Sequence, residues 1–332
     1  MTYCFERFVL HLESETGALR RRADQVLQYH RFQPVRHGAS PDWTIRLVVK
    51  VPEEPSWPIA FEAGACRLRI GEEGCWLQYG AVAFAGSGSE WEGYVPAGCE
   101  RLPDFAYGLV LVMCLLLREQ GWFGLHGAGL VYQGQGVLLV GRSGVGKSTL
   151  AYSLVRCGWH FLTDDALMIY REGDGIEAVS FRKDFGLEVG SARYFPELAV
   201  FADRQPTDPN KRRIQVECLY PDRFCVRCRP ALLVFPERAH AVQSRLQPLR
   251  RSEAFVRLLQ AGLMLWRADD PMEWRLLEVM RRLVQQAPAY LLQLGLDVFD
   301  QPERLERLLH PMQRLVHQSG GGSWPVTNRI RV

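Results

Sequence analysis

The sequence predicts an α/β fold in which a β-rich N-terminal region precedes a core made of strand, glycine-rich loop and helix. Three observations carry this expectation. Short strand-like runs separated by Pro and Gly fill residues 1–103. An apolar run at 137–140 enters "GRSGVGKS" at 141–148, and Leu150, Leu154 and Val155 recur after it at helical spacing. Beyond that, apolar runs alternate with amphipathic stretches to about residue 316.

In chain order, "WTIRLVVKV" (43–51), "CRLRI" (66–70) and "CWLQYGAVAFAG" (75–86) read as strands. Residues 103–120 read as a helix, with Asp104 near its start, apolar positions through Leu117 and Gly121 just past its end. Two apolar runs, 125–132 and 137–140, flank "QGQG", a hairpin signal. Gly158 supplies the stop for the helix after the glycine-rich loop. "WHFLTDDALMIYR" (159–171) is an apolar strand candidate interrupted by two aspartates, and "EGDG" turns it into another strand around 176–181. Residues 199–229 are polar and turn-rich, with "DRQPTDPNKRR" (203–213) as the expected mobile loop. "PALLVFP" (230–236) and "AYLLQLGL" (289–296) read as strands, and 252–265, 271–286 and 302–316 as amphipathic helices. The expected divisions are a β-rich region at 1–103, a loop-bearing domain at 104–318 and a flexible tail at 319–332.

Composition narrows the partners. The chain has 332 residues, 47% of them hydrophobic, and 40 basic against 37 acidic side chains give a net charge of +3. That balance does not point to nucleic acid. The longest apolar run, "FAYGLVLVMCLLL" at 105–117, is shorter than the roughly 20 residues a membrane-crossing helix needs, so no membrane partner is expected. Glu6, Arg7 and Glu13 interrupt the N-terminal stretch, and nine scattered cysteines do not form a disulfide framework, so a cytoplasmic location is expected. "CLYPDRFCVRC" (218–228) holds Cys218, Cys225 and Cys228 but no matching second pair, so buried or alternating strand cysteines are expected there rather than a zinc knuckle.

The chemistry begins at the loop. Gly141, Arg142, Ser143, Gly144, Val145, Gly146, Lys147 and Ser148 satisfy the pattern G-x-x-x-x-G-K-[ST]. Glycines let the backbone turn its N–H groups inward around a polyphosphate, and the following helix aims its positive N-terminus at the same point. Lys147 is expected on the β- and γ-phosphates, Ser148 on Mg²⁺, and Thr149 continues the nucleotide-binding run. The nearest match to a guanine-recognition motif, "NKRR" at 210–213, has Arg213 where the aspartate belongs, and no LSGGQ-like transport signature is present. Asp164 and Asp165 close the next apolar run. Two adjacent carboxylates suit two tasks, one holding Mg²⁺ and the other accepting a proton from an incoming hydroxyl. "DFGLEVG" (184–190) is not a protein-kinase motif, since no H-R-D loop precedes it.

Residues 125–166, "LHGAGLVYQGQGVLLVGRSGVGKSTLAYSLVRCGWHFLTDDA", resemble the catalytic core of the HPr kinase/phosphorylase family: His-Gly, a hairpin, G-x-S-G-x-G-K-S, a helix, a turn and Asp-Asp. The resemblance is looser through about residue 265, where "LQPLRRSEAFVRLL" resembles a segment of short HPr-kinase-like proteins. It implies a phosphoenolpyruvate-carboxykinase-like P-loop fold that phosphorylates a serine hydroxyl with ATP and Mg²⁺. Lys147 then contacts the transferred phosphate, Ser148 and Asp164 the metal, His126 sits by the phosphate site, and Asp165 accepts the proton. Lys211, Arg212 and Arg213 lie where the resemblance expects a basic loop, though a solvated charge run fits them equally. No E-x-R-G-x-G-like segment follows, which removes the family's element for the reverse, phosphorolytic reaction.

The expectation is an ATP-dependent kinase acting on a peptide or small protein, with further copies of the chain as partners in a homo-oligomer. Two alternatives stand beside it: a small-metabolite kinase, and an ATP-binding regulatory module that transfers nothing.

Overall fold

The computed structural model describes residues 1–35, 40–188, 190, 194–201, 211–239, 241–262, 271–300, 303–304 and 306–309. The chain is a mixed α/β protein with several sheets. Its contacts divide it into two units, Met1–Gly121 with Met264–Trp274, and Trp122–Leu263 with Arg275–Val332.

The first unit holds strands β1 (Thr2–Phe5), β2 (Phe8–Ser14), β3 (Gln33–Val35), β4 (Trp43–Val48), β5 (Ile59–Ala63), β6 (Cys66–Gly71), β7 (Gly74–Tyr79), β8 (Val82–Ser87) and β9 (Glu90–Tyr94). They form one sheet in the order β3-β1-β2-β4-β9-β8-β7-β6-β5. Alternation sets its faces: Phe8, Leu10 and Leu12 of β2 are buried while the residues between them are half-exposed. The expected single strand at 75–86 is a hairpin, because the chain reverses at Gly80 in a left-handed conformation (φ 54°). Helix α1 (Gly17–Tyr29) was not expected in this β-rich region. Thr16 caps it by accepting from the Leu19 N–H at 3.2 Å, and Leu19, Ala23, Val26 and Leu27 are its buried stripe. Helix α2 (Pro103–Glu119) matches the expected element, with Pro at its start. No helix of the described residues is long and apolar enough to cross a membrane.

The second unit contains β10 (Trp122–Leu125), β11 (Gly127–Tyr132), β12 (Gln135–Val140), α3 (Lys147–Arg156), β13 (His160–Thr163), β14 (Leu167–Glu172), β15 (Gly175–Ser180), β16 (Asp184–Glu188), β17 (Lys211–Gln215), β18 (Arg227–Cys228), β19 (Pro230–Arg238), β20 (Arg245–Pro248), α4 (Arg251–Ala261), α5 (Pro271–Gln286, its first residues in the other unit), β21 (Ala289–Leu294) and α6 (Asp297–Asp300). A six-stranded sheet runs β13-β11-β12-β19-β21-β20, a four-stranded one β10-β14-β15-β18, and β16 pairs with β17 as a separate ribbon. The pairs β12/β19 and β19/β21 are parallel. Leu130, Val137, Leu139, Leu150, Leu154, Trp159, Phe161, Leu232 and Val234 form one buried core between the six-stranded sheet and α3.

Several boundaries differ from expectation for identifiable reasons. The run at 125–132 is two strands, since Leu125 ends β10 in one sheet and Gly127 starts β11 in another. The hairpin turn is only Gln133-Gly134, both at positive φ, with Gln135 already paired to Tyr132. Lys211, Arg212 and Arg213 lie on β17, not in a basic loop, because β17 pairs with β16 from Asp184↔Gln215 to Glu188↔Lys211. Cys225 and Cys228 are buried and Cys218 is exposed. The expected loop up to residue 210, the end of the 252–265 helix beyond Gly262, most of the 302–316 helix and the 319–332 tail lie outside the described residues.

Candidate active site

Two antiparallel strand pairs pass side by side from one sheet to the other. β10 leads into β11 through His126, and β13 leads into β14 through Asp164, Asp165 and Ala166. β10 pairs with β14 and β11 with β13, so both breaks fall at the same level. Strand pairing thus brings together two polar segments that lie 38 residues apart, from His126 to Asp164. His126 Nδ1 lies 2.8 Å from the Asp165 carbonyl oxygen. A carbonyl only accepts, so Nδ1 carries the hydrogen and Nε2 keeps a lone pair. That lone pair faces Lys147 Nζ at 3.1 Å.

The glycine-rich loop connects β12 to α3. Gly144 and Gly146 adopt φ 81° and 100°, which a side chain would resist. Lys147 opens α3 and is buried, its Nζ donating to the Gly141 and Arg142 carbonyls at 2.7 and 2.8 Å. Arg142, Ser143 and Gly144 are exposed, Val145 and Gly146 half-buried, and Thr149 lies half-buried in the first turn of α3. The C-terminal end of α3 closes on Gly158 (φ 106°): Gly158 N–H donates to Val155 O at 3.1 Å and Trp159 N–H to Leu154 O at 3.2 Å. A short, firmly ended helix therefore carries the loop.

Asp164 is 2% exposed and accepts from Ser148 Oγ at 3.0 Å, from Gly186 N–H at 2.9 Å and from Asp165 N–H at 3.0 Å. Burial, then the neighbouring Asp165 charge, pushes its carboxyl up to about 6, against the pull of the Gly186 and Ser148 donors and of Arg182. Asp165 takes a left-handed conformation, φ 69°, which Asp tolerates better than most residues. Its Oδ2 lies 3.7 Å from Arg182 and 3.9 Å from Arg213, and Arg213 is also 3.2 Å from the buried Asp184. The neighbouring carboxylates therefore differ: one is buried among hydrogen-bond donors, the other faces two guanidiniums.

Sequence reading placed Lys147, Ser148, His126, Asp164 and Asp165 at one site, and the structure brings these five together. It missed Arg182, Asp184 and the Gly186 N–H. Their only local signal was the charged run "RKD" at 182–184, which gives no hint that the ribbon folds back onto the aspartates. Among the described residues, no group of three or more His, Cys, Asp or Glu side chains is placed to hold a metal alone. Ser148 and Asp164 nevertheless set two hard oxygen donors side by side. They suit a Mg²⁺ ion that takes its other ligands from phosphate and water.

Comparison with known proteins falls on this segment. Residues 122–183 match the HPr Serine kinase C-terminal domain. The HPr kinase/phosphorylase of Prosthecochloris aestuarii is 33% identical over 96 residues, 28% of each chain. That of Mycoplasma pneumoniae is 50% identical over 93 residues, 23% of this chain and 30% of the relative. The solved Hpr(Ser) kinase/phosphatase from Coxiella burnetii aligns over 59% of this chain and 98% of its own, at 15% identity and a TM-score of 0.33. The matched stretch spans under a third of the curated relatives' length. Residues 122–183 are thus similar to the HPr kinase-like family.

Proposed function

We propose that the protein is an ATP-dependent kinase with a P-loop core, transferring the γ-phosphoryl group to a hydroxyl, a serine of a peptide or small protein. The observation that supports this best is the chain of contacts from loop to acid pair. Lys147 meets His126, His126 meets the Asp165 main-chain carbonyl, and Ser148 meets the Asp164 carboxylate, so the loop and the acid pair share one small volume. The HPr of the relatives' names is one such acceptor class, and here the acceptor is proposed only as a hydroxyl on a polypeptide.

In this reading the loop N–H groups and Lys147 hold the polyphosphate, and His126 orients Lys147 at the mouth of the loop. Ser148 and Asp164 hold Mg²⁺, which when bound neutralises charge on the phosphates. Asp165 accepts the acceptor's hydroxyl proton while the new oxygen–phosphorus bond forms and the bond to the β-phosphate oxygen breaks. Arg182 and Arg213 stand where charge on the transferring group is balanced. The kinase domain is proposed as 104–318, its location as cytoplasmic, and its reaction as one-way for want of the phosphorolytic element.

The test is incubation with γ-labelled ATP, Mg²⁺ and a cell lysate, followed by separation by size. Label on a polypeptide, stable to acid as a phosphoserine is, is the expected result. Label confined to free phosphate or small metabolites would reject a polypeptide acceptor.

A further inference from the structure

One buried hydroxyl, that of Thr163, touches both segments that bring charge to the acidic corner. Thr163 is fully buried and ends β13, immediately before Asp164. The strand carries a β-bulge there: Leu130 pairs with Phe161 and Gly129 with Thr163, so Leu162 is an extra residue on β13. A Cβ at Gly129 would meet Leu162 Cδ2 at 2.6 Å, so the glycine leaves the room that the extra side chain takes. Bulges of this kind re-aim a side chain and end a ladder, and this one does so at the last position before the two aspartates.

Thr163 Oγ1 shares its single hydrogen between the Ala166 carbonyl at 2.8 Å and the Arg182 carbonyl at 3.1 Å. The first contact closes the chain over both aspartates, in the same turn where Ala166 N–H donates to the Asp164 carbonyl at 2.9 Å and Asp165 holds φ 69°. The second reaches the segment between β15 and β16. There the Arg182 carbonyl also accepts from Ser180 Oγ at 2.8 Å, and Ser180 is fully buried too. Two hydroxyls thus fix the main chain of Arg182, while its guanidinium stands 3.7 Å from Asp165 Oδ2, longer than a hydrogen bond. Arg213 differs, since the buried Asp184 already holds it at 3.2 Å. The distance between Asp165 and Arg182 therefore rests on main-chain anchors, and Thr163 is an anchor of both residues. Valine has threonine's shape without the hydroxyl, so it would keep the packing and lose both contacts.

We propose that Thr163 is a positioning residue for phosphoryl transfer, its hydroxyl holding the Asp165 turn and Arg182 at their working distance, an inference that rests on the phosphotransfer reading above. The test measures transfer from γ-labelled ATP with Mg²⁺ to polypeptide in a fixed amount of cell lysate, with the full chain and at saturating ATP, and takes ATP affinity by calorimetry on the same preparations. Thr163→Val should slow transfer at least about tenfold while ATP affinity stays within about threefold, and Thr163→Ser, which keeps the hydroxyl, should return the rate to within about threefold of the parent. Ser180→Ala withdraws the second hydroxyl from the Arg182 carbonyl, so it should slow transfer in the same direction but by less, and it carries the test should Thr163→Val not fold. Parental transfer by Thr163→Val, or by Ser180→Ala where that variant carries the test, would overturn the assignment and leave phosphotransfer standing. So would a Thr163→Ser protein as slow as Thr163→Val, or an ATP affinity that falls in step with the rate. A parent that labels no polypeptide would overturn both readings.

Discussion

The glycine-rich loop draws on eight consecutive residues, Gly141 to Ser148, whereas the acidic corner beside it draws on three separate stretches: Asp164–Asp165, Arg182–Gly186 and Arg213. The loop's geometry follows from two glycines and the start of a helix, all set locally. The corner depends on strand pairing, since the register Gly186↔Arg213 places a backbone donor on Asp164 and a guanidinium near Asp165 from one ribbon. A contiguous motif withstands change elsewhere in the chain. An assembled one fails when any contributing segment moves.

Breaking the loop should have the largest effect. ATP with Mg²⁺ at 100 times its dissociation constant should stabilise the parent by about 2.7 kcal/mol, read as a rise in melting temperature. Lys147→Ala should abolish most of that rise, and transfer should fall below detection. A variant with the parental shift would show that Lys147 only packs against Gly141 and Arg142.

Breaking the corner from a distance is the next largest test. Arg213→Gln removes the guanidinium that joins Asp184 to Asp165, and loss of a charge-assisted contact of about 1.5–3 kcal/mol corresponds to roughly a ten- to hundredfold fall in kcat/KM. Parental kinetics would remove β17 from the site.

The Asp164 carboxyl gives a pH signature in the metal-free, nucleotide-free protein. Its folded value of about 6 lies above its ordinary 3.8, so between these values the native state binds more protons than the unfolded one. Its contribution is therefore fully present below about 3.8 and is lost as pH rises through about 6. Asp164→Asn should flatten that decline in denaturant titrations, and an unchanged slope would assign it to other groups. The smallest effect expected is at the far end of the loop's helix. Gly158→Ala, at φ 106°, should cost about 1 kcal/mol of stability with little change in ATP affinity.

The same contrast explains what the sequence allowed to be read. The loop, α2, α3 with its Gly158 stop, and the break at Asp164–Asp165 were legible because glycine conformations and apolar periodicity are local. The ribbon was not, since Asp184 and Arg213 are far apart in the chain and nothing in "RKDFG" indicates its partner. The separation of Leu125 from Gly127 was hidden for a similar reason: an apolar run reads as one strand whether or not it changes sheets. In α1 the clustered arginines at 20–22 masked a stripe whose apolar members are only Leu19, Ala23, Val26 and Leu27.

The central claim is that this corner performs transfer rather than merely closing a turn. Single-turnover transfer of γ-labelled phosphate from ATP by Asp165→Asn, with ATP affinity measured on the same preparation, tests it most directly. The substitution keeps size and some hydrogen bonding but removes the base, so transfer should slow by roughly 100- to 10,000-fold while ATP affinity changes less than about threefold. Transfer at the parental rate by Asp165→Asn, and by Asp164→Asn alongside it, would contradict the account and leave a nucleotide-binding protein with a structural turn.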